Sequence, residues 1–322
     1  MNQSEILTPR FIPALDGTMA GLIIILVLLA VPGNSSSFIF FFGRQDKNLH
    51  NLLYAVMSAT DICTCCFAVS PLVSLFNERQ PVVYSSPWTC VTWGIGAKFS
   101  IFFSMFVVLM MSVTRTIAIV APFHTISRSA VIGALVGYGA GMLIVDAFFV
   151  GFKFWYFEYS WRVTGCSMFI SPQAPNWSRD IQKNVMMLEL LIPSLTVFTS
   201  FIISTIYIVK QKNRTLGKKN DKKFKQASVT ISILTAAFLI CNLPFFAIHL
   251  LNNLTVWVDM GFTFHDLPIL EQYGWLVTHC LLPLINATIN PCLYLMRMPR
   301  FRGWVTMRIK DINEGVLSSG GS

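Results

Sequence analysis

An all-α membrane protein, a seven-transmembrane helix bundle with a short amphipathic eighth helix, is the fold this sequence predicts, on three observations. Of its 322 residues, 54% are hydrophobic and only 12% charged, where a soluble domain has about 25% charged. The charges gather between long apolar runs, several of them able to cross a hydrocarbon core of about 30 Å as a helix of roughly 20 residues. Basic residues collect in alternate connecting segments, the asymmetry that fixes orientation in a bilayer.

The seven runs cover about 17–43, 51–77, 87–119, 130–150, 181–210, 224–251 and 268–296. A lipid-exposed backbone must satisfy its hydrogen bonds internally, so the runs are expected to be helices. The ten-residue alternation of a barrel is missing. The expected organisation is an extracellular N-terminus (1–16), one transmembrane domain (17–296), and a cytoplasmic amphipathic helix with a short tail (297–322). The two halves show no repeat, which disfavours transporters built on duplicated units.

The segment before the first helix, Met1 to Asp16, is polar and lacks the basic n-region and cleavage site of a signal peptide, so that helix is expected to serve as an uncleaved anchor. With the N-terminus outside, the cytoplasmic segments carry Arg44 and Lys47, then Arg115 and Arg128, then the run from Lys210 to Lys225, then Arg297, Arg300, Arg302, Arg308 and Lys310. The net charge of +9 then reads as a basic face toward an anionic inner leaflet. Nucleic acid is a poor partner, because no basic face exists outside the short loops. Sequons at Asn2, Asn176 and Asn253 fall on the expected outer side, which makes glycosylation an expectation there.

Eight cysteines are present, and Cys63, Cys65, Cys66, Cys241, Cys280 and Cys292 lie inside helices, where thiols pack as small apolar groups. A metal site at Cys63, Cys65 and Cys66 is disfavoured: neighbouring helical positions point in different directions and no His lies near. Cys90 and Cys166 both fall on the oxidising outer side, so a disulfide between them is expected.

Several motifs fall on these helices in order. They are Gly33-Asn34 in the first, Ser58-Ala59-Thr60-Asp61 in the second, Arg115 at the inner end of the third with Pro122 following, and Pro193 in the fifth. The sixth has Phe238 with Cys241-Asn242-Leu243-Pro244, and the seventh Asn290-Pro291-Cys292-Leu293-Tyr294. Cys90 precedes Arg115 by 25 residues, about seven turns of helix. On these marks the chain resembles the rhodopsin-like (class A) G-protein-coupled receptors, from the first helix to Lys310.

The resemblance implies a plasma-membrane receptor without enzyme chemistry, which binds an extracellular small-molecule or peptide ligand and activates heterotrimeric G proteins. Arrestin and membrane lipid are further expected partners. It assigns activation to Arg115, Phe238, Asn242, Pro244, Asn290, Pro291 and Tyr294; proline removes a helix hydrogen bond and leaves a hinge about which Tyr294 can swing. It also implies that Asp61, Ser104, Asn286 and Asn290, supported by Asn34, hold a sodium ion as allosteric modulator, with no other cofactor. An oxygen-rich cluster around one carboxylate suits a hard cation. A hydrogen-bonded cluster that merely joins helices is the alternative.

The chain also departs from the family pattern. Thr114-Arg115-Thr116 stands for Asp-Arg-Tyr, Phe224 stands where some members carry a second acid, Phe201 replaces the fifth helix's Tyr, and Asn242 the sixth helix's Trp. Arg115 is therefore expected to be loosely held. A receptor-like binding protein that has lost coupling remains an alternative. A transporter or channel, the third reading, calls for a continuous intramembrane charge pathway.

Ligand identity is less legible. Ala97, eighteen residues before Arg115, stands where amine receptors carry Asp, and Leu284 stands where opsins carry the Schiff-base lysine. Ordinary amine receptor and opsin are both poor readings. The candidate pocket residues are Lys98, Asp146, Glu189, His249, His279 and Tyr273, beside Trp275, with Trp93, Phe99, Phe245 and Phe246 as apolar walls. Lys98 and Glu189 either neutralise each other, the favoured reading because buried charges are usually paired, or one anchors a ligand head group. At the inner end Phe301, Trp304 and Met307 recur at i, i+3, i+6 among arginines, as in an amphipathic helix lying on a membrane. No cysteine follows to carry a palmitoyl anchor there.

Overall fold

The computed structural model describes residues 13–44, 48–76, 87–121, 123–124, 126–156, 176–212, 233, 235–244, 247, 274 and 276–319. The helices are α1 (Pro13–Phe42), α2 (Leu49–Phe67), α3 (Val69–Phe76), α4 (Pro87–Val120), α5 (Arg128–Tyr156) and α6 (Asn176–Lys212). An apolar stretch of the sixth run follows as α7 (Thr235–Pro244), and the chain ends in α8 (Leu282–Arg297) and α9 (Pro299–Ser319). No strand occurs among the described residues.

The burial pattern is that of a bundle in lipid. Along α1 the buried residues are Asp16, Ala20, Ile23, Ala30, Asn34, Ser37 and Phe41, a stripe at helical spacing. The opposite face shows Leu22, Ile25, Leu28, Leu29 and Ile39. Polar groups are inside and large aliphatic groups outside, an arrangement that water would penalise and a bilayer favours. Among the described residues, Pro13–Phe42, Ile95–Val120 and Arg128–Phe148 are each long and apolar enough to cross a membrane.

Several helices outrun the expected apolar spans. α5 starts at Arg128, after Ser127 accepts the amide of Ala130 at 3.1 Å, and α2 starts at Leu49, after Asn48 accepts the amide of His50 at 3.1 Å. Such caps satisfy amides that have no helical partner. Hydrophobicity marks where lipid begins, whereas capping marks where the helix begins. The second run is also divided, with Ala68 separating α2 from α3.

α4 is the central element, packing against α2, α5 and α6, while α1 packs on α2 and α8. Two glycines permit the close approaches. A Cβ on Gly33 would lie 2.8 Å from Cγ of Pro291, so α1 meets the proline of α8 at near contact. A Cβ on Gly96 would overlap the ring of Phe67, which sets α4 directly on α2. A single π-helical turn, Val277–Leu281, leads into α8, and such turns are frequent at functional sites.

At the base of α8, Met298 is extended and the chain turns into α9. The apolar residues of α9 do not all face lipid. Phe301 is 1% exposed, packed with Phe40, Phe41 and Tyr294, whereas Met307 is exposed. The first apolar residue is a wedge in the bundle and only the later ones are available to lipid. The cysteines divide likewise: Cys65, Cys241 and Cys280 are buried, but Cys63, Cys66 and Cys292 are exposed and do not serve as core packing.

Candidate ligand site and transmission core

α4, α5 and α6 meet around three charges. Lys98 Nζ on α4 lies 2.6 Å from Asp146 Oδ1 on α5 and 2.9 Å from Glu189 Oε2 on α6. The contact to Asp146 is an aligned hydrogen bond, while that to Glu189 is a charge contact without hydrogen-bond alignment. The favoured pairing of Lys98 with Glu189 is present, and Asp146 joins it as the nearer partner.

Taking charges out of water is costly unless they are paired, so the grouping explains how Lys98 is tolerated here. Among the described residues it does not complete the balance, because two carboxylates face one ammonium. Asp146 is 4% exposed, and its Oδ2 has no hydrogen-bond partner among the described residues; nor has the buried hydroxyl of Tyr138, also on α5. Aromatic rings flank the charges. Lys98 Nζ lies 5.7 Å from the centre of the Phe102 ring, Phe99 stacks on Phe103 at 5.1 Å and Phe106 on Tyr138 at 4.0 Å.

Six residues along α4 from Lys98, about 9 Å by helical rise, is Ser104. Near that level lies a second polar group. Asp61 on α2 is 2% exposed and accepts a 2.8 Å hydrogen bond from Asn290 Nδ2 on α8. Asn34 Nδ2 on α1 donates to the carbonyls of Ala30 at 3.0 Å and Ala287 at 2.8 Å. The Ser104 hydroxyl is directed to Met57 Sδ at 3.5 Å. Asn34 Oδ1 and Asn286 Oδ1 are buried acceptors without a partner among the described residues. Of the expected sodium ligands, Asn290 bonds Asp61 while Ser104 is directed to Met57; a carboxylate with neutral oxygens is a donor set that suits a hard cation.

Farther along α4, about 26 Å from Lys98 by helical rise, is Arg115. Its neighbour Thr114 turns its hydroxyl onto its own helix, 2.7 Å from the carbonyl of Met110 and 3.1 Å from that of Met111. Thr116 also bonds its own helix, 2.9 Å from the Ser112 carbonyl, and in addition reaches across, 2.8 Å from the Ser204 hydroxyl and 3.2 Å from the Ser200 carbonyl on α6. Ser112 lies 3.5 Å from the Thr235 hydroxyl on α7. These cross-helix hydroxyl contacts were not anticipated; their signal was Ser200 and Ser204, four apart on one face of α6.

The model of the family described as 7 transmembrane receptor (rhodopsin family) matches residues 37–294. The chain belongs to that family. Its members are receptors rather than enzymes, and they cross the membrane several times. Similarity of this rhodopsin-family receptor to named relatives is local. It is 34% identical to Dopamine receptor 3 of Caenorhabditis elegans over 93 residues, 28% of this chain and 14% of that one. To 5-hydroxytryptamine receptor 2A of Drosophila melanogaster it is 29% identical over 103 residues, 32% of this chain and 11% of the relative. To Trace amine-associated receptor 13c of Danio rerio it is 29% identical over 114 residues, 34% and 30% of the two chains.

The residues to which the resemblance assigns activation are placed as follows. Tyr294 is buried between Phe41, at 5.4 Å between ring centres, and Tyr54, at 5.2 Å. Phe238 and Pro244 lie on α7, where Asn242 Nδ2 donates to the Phe238 carbonyl at 2.9 Å. Cys166, Phe224, Phe245, Phe246, His249, Tyr273, Trp275, Asn2 and Asn253 lie outside the described residues, as do the side chains of Cys90, Trp93, Asn176 and His279.

Proposed function

We propose that this receptor binds an extracellular ligand at the end of the bundle around Lys98, Asp146 and Glu189, and activates heterotrimeric G proteins at the Arg115 end. The observation that carries this reading is the layered polar axis along α4. A charged cluster at Lys98 and an acid–amide pair at Asp61 and Asn290 precede Arg115 on the way across. Ionisable groups inside a membrane are costly and mark functional sites.

In this reading 1–16 and the Lys98 end are extracellular, and Arg44, Arg128 and the 297–322 segment are cytoplasmic; the basic residues support that orientation. A Cys90–Cys166 disulfide holds the second outer loop over the pocket, and His249, His279 and Tyr273 extend the pocket to the sixth and seventh helices. The relatives are named for amines, yet Ala97 stands where amine receptors carry their acid. The ligand is therefore met by α4, α5 and α6 rather than in the ordinary amine-receptor manner. Asp61, Ser104, Asn286 and Asn290 would hold sodium, which supplies positive charge to Asp61 in the resting state. Arrestin and anionic lipid are further partners of the cytoplasmic face.

The test is nucleotide exchange on purified G protein by the receptor in lipid nanodiscs. Exchange above that of empty discs, lost in Arg115→Ala, is expected. Exchange no faster than with empty discs for a panel of G-protein subtypes rejects coupling and leaves the uncoupled binding protein.

A further inference from the structure

The geometry points to a cation-accepting site at Asp146 and Glu189, taking the ammonium or guanidinium group of a ligand that also carries an apolar body. This inference rests on the proposed ligand site and adds the ligand's charge class. Its basis is a charge balance that the described residues leave incomplete in a nearly dry place. Lys98 is one ammonium between two carboxylates, and its bond to Asp146 engages Oδ1 alone. Asp146 Oδ2 is buried with no partner among the described residues, and Asp146 as a whole is 4% exposed.

A carboxylate has about four acceptor sites over its two oxygens, and a buried acceptor left unmet is destabilising. An arriving N–H donor with positive charge answers both deficits, by bonding Oδ2 and by neutralising the excess negative charge. A ligand carboxylate would meet repulsion from both acids, and a neutral hydroxyl would leave the charge unbalanced. Tyr138, about two turns along α5 from Asp146, also has a buried hydroxyl without a partner among the described residues. Phe99 and Phe103, stacked on α4, and the Phe102 ring beside Lys98 supply aromatic faces for the apolar body and for cation–π attraction.

Lys98 thus acts as an internal competitor for the ligand's cation. Removing it should strengthen cation binding, an effect opposite in sign to that of breaking a structural bridge.

The test uses the full-length receptor in nanodiscs and three matched probes: 2-phenylethylammonium, neutral 2-phenylethanol and anionic 3-phenylpropanoate. A ligand that binds the folded state raises the unfolding midpoint, so midpoints against concentration give apparent affinities without any G protein. The ammonium alone is expected to stabilise. Its affinity should rise on the order of tenfold in Lys98→Gln, stay near native in Lys98→Arg, and fall on the order of tenfold in Glu189→Gln and Asp146→Asn. Asp146→Asn and Glu189→Gln keep side-chain shape, so they serve if Lys98→Gln does not fold. Stabilisation by the neutral or anionic probe that depends on these residues overturns the charge class and leaves the site. Stabilisation by the ammonium that ignores all four substitutions, or by no probe, overturns both. G-protein exchange in the same preparation reports coupling separately.

Discussion

Asn290 donates a 2.8 Å hydrogen bond to Asp61, and through it α2 and α8 are tied across the middle of the bundle. The Nδ2 donor is held by one carboxylate oxygen, while Asn34 Oδ1 and Asn286 Oδ1 stay buried without partners among the described residues. A bond between a neutral amide and a carboxylate is charge-assisted, roughly twice as strong as a neutral pair. On the proposed sodium site, a cation would compete for the same oxygen.

Asp61→Asn should abolish the sodium dependence of signalling. A ligand shifts an equilibrium only by its differential affinity for the two states, so sodium is expected to oppose activation in the native receptor and to be without effect in the variant. Exchange rates measured in sodium and in an equimolar organic cation provide the comparison. Equal sodium sensitivity in both proteins removes the assignment.

Thr114→Asp should lower ligand-independent signalling while keeping the response to activation. Thr114 spends its hydroxyl on the Met110 and Met111 carbonyls, so it supplies no charge to the neighbouring guanidinium. A carboxylate there adds about 1 kcal/mol to the resting state, the scale of a modest ion pair, or about a fivefold change in population. Reporter output at matched surface expression reads it. A silent native receptor that the substitution leaves unchanged favours the uncoupled alternative.

Thr116→Val and Ser204→Ala should each weaken the joint between α4 and α6, and their effects should not add. The 2.8 Å hydroxyl contact is of a kind worth about 0.6 kcal/mol on average within a membrane. A double-substitution cycle on unfolding midpoints in nanodiscs is the measurement. Strict additivity would show that the contact contributes nothing.

A Cys90→Ser, Cys166→Ser receptor should reach the cell surface poorly, because losing a native disulfide costs roughly 2–5 kcal/mol. Surface labelling and ligand response at matched expression give the readout; native levels of both would show that the two thiols are not bridged.

The sequence exposed the axis more clearly than the contacts. Asp61, Asn34 and Asn290 stood out because polar side chains within apolar runs have few structural excuses, and Lys98 and Glu189 for the same reason. That Asp146 is the nearer partner of Lys98 follows from how α5 lies on α4, which depends on Gly139 approaching Phe103, with a Cβ there 3.2 Å from the ring. No spacing along one chain segment encodes that distance. Phe301 was misplaced because helical periodicity separates apolar from polar faces and says nothing about whether the apolar face meets lipid or protein. Cys63 and Cys66 faced outward for the same reason: in a bilayer the outside is also apolar.

The insertion of Phe301 makes the two flanks of the bundle mechanically unequal. Phe40, Phe41, Tyr54, Tyr294, Phe301 and Trp304 form one continuous set of ring contacts joining α1, α2, α8 and α9. Interlocked rings of this bulk resist sliding, since any displacement opens voids that the packed interior does not tolerate. On the other flank, α4 meets α6 and α7 through Thr116, Ser204, Ser112 and Thr235, small hydroxyls that can exchange partners over short displacements. One flank is held by interlocked rings, and the other adds exchangeable hydroxyl contacts to its apolar packing, so the second offers less resistance to small sliding displacements.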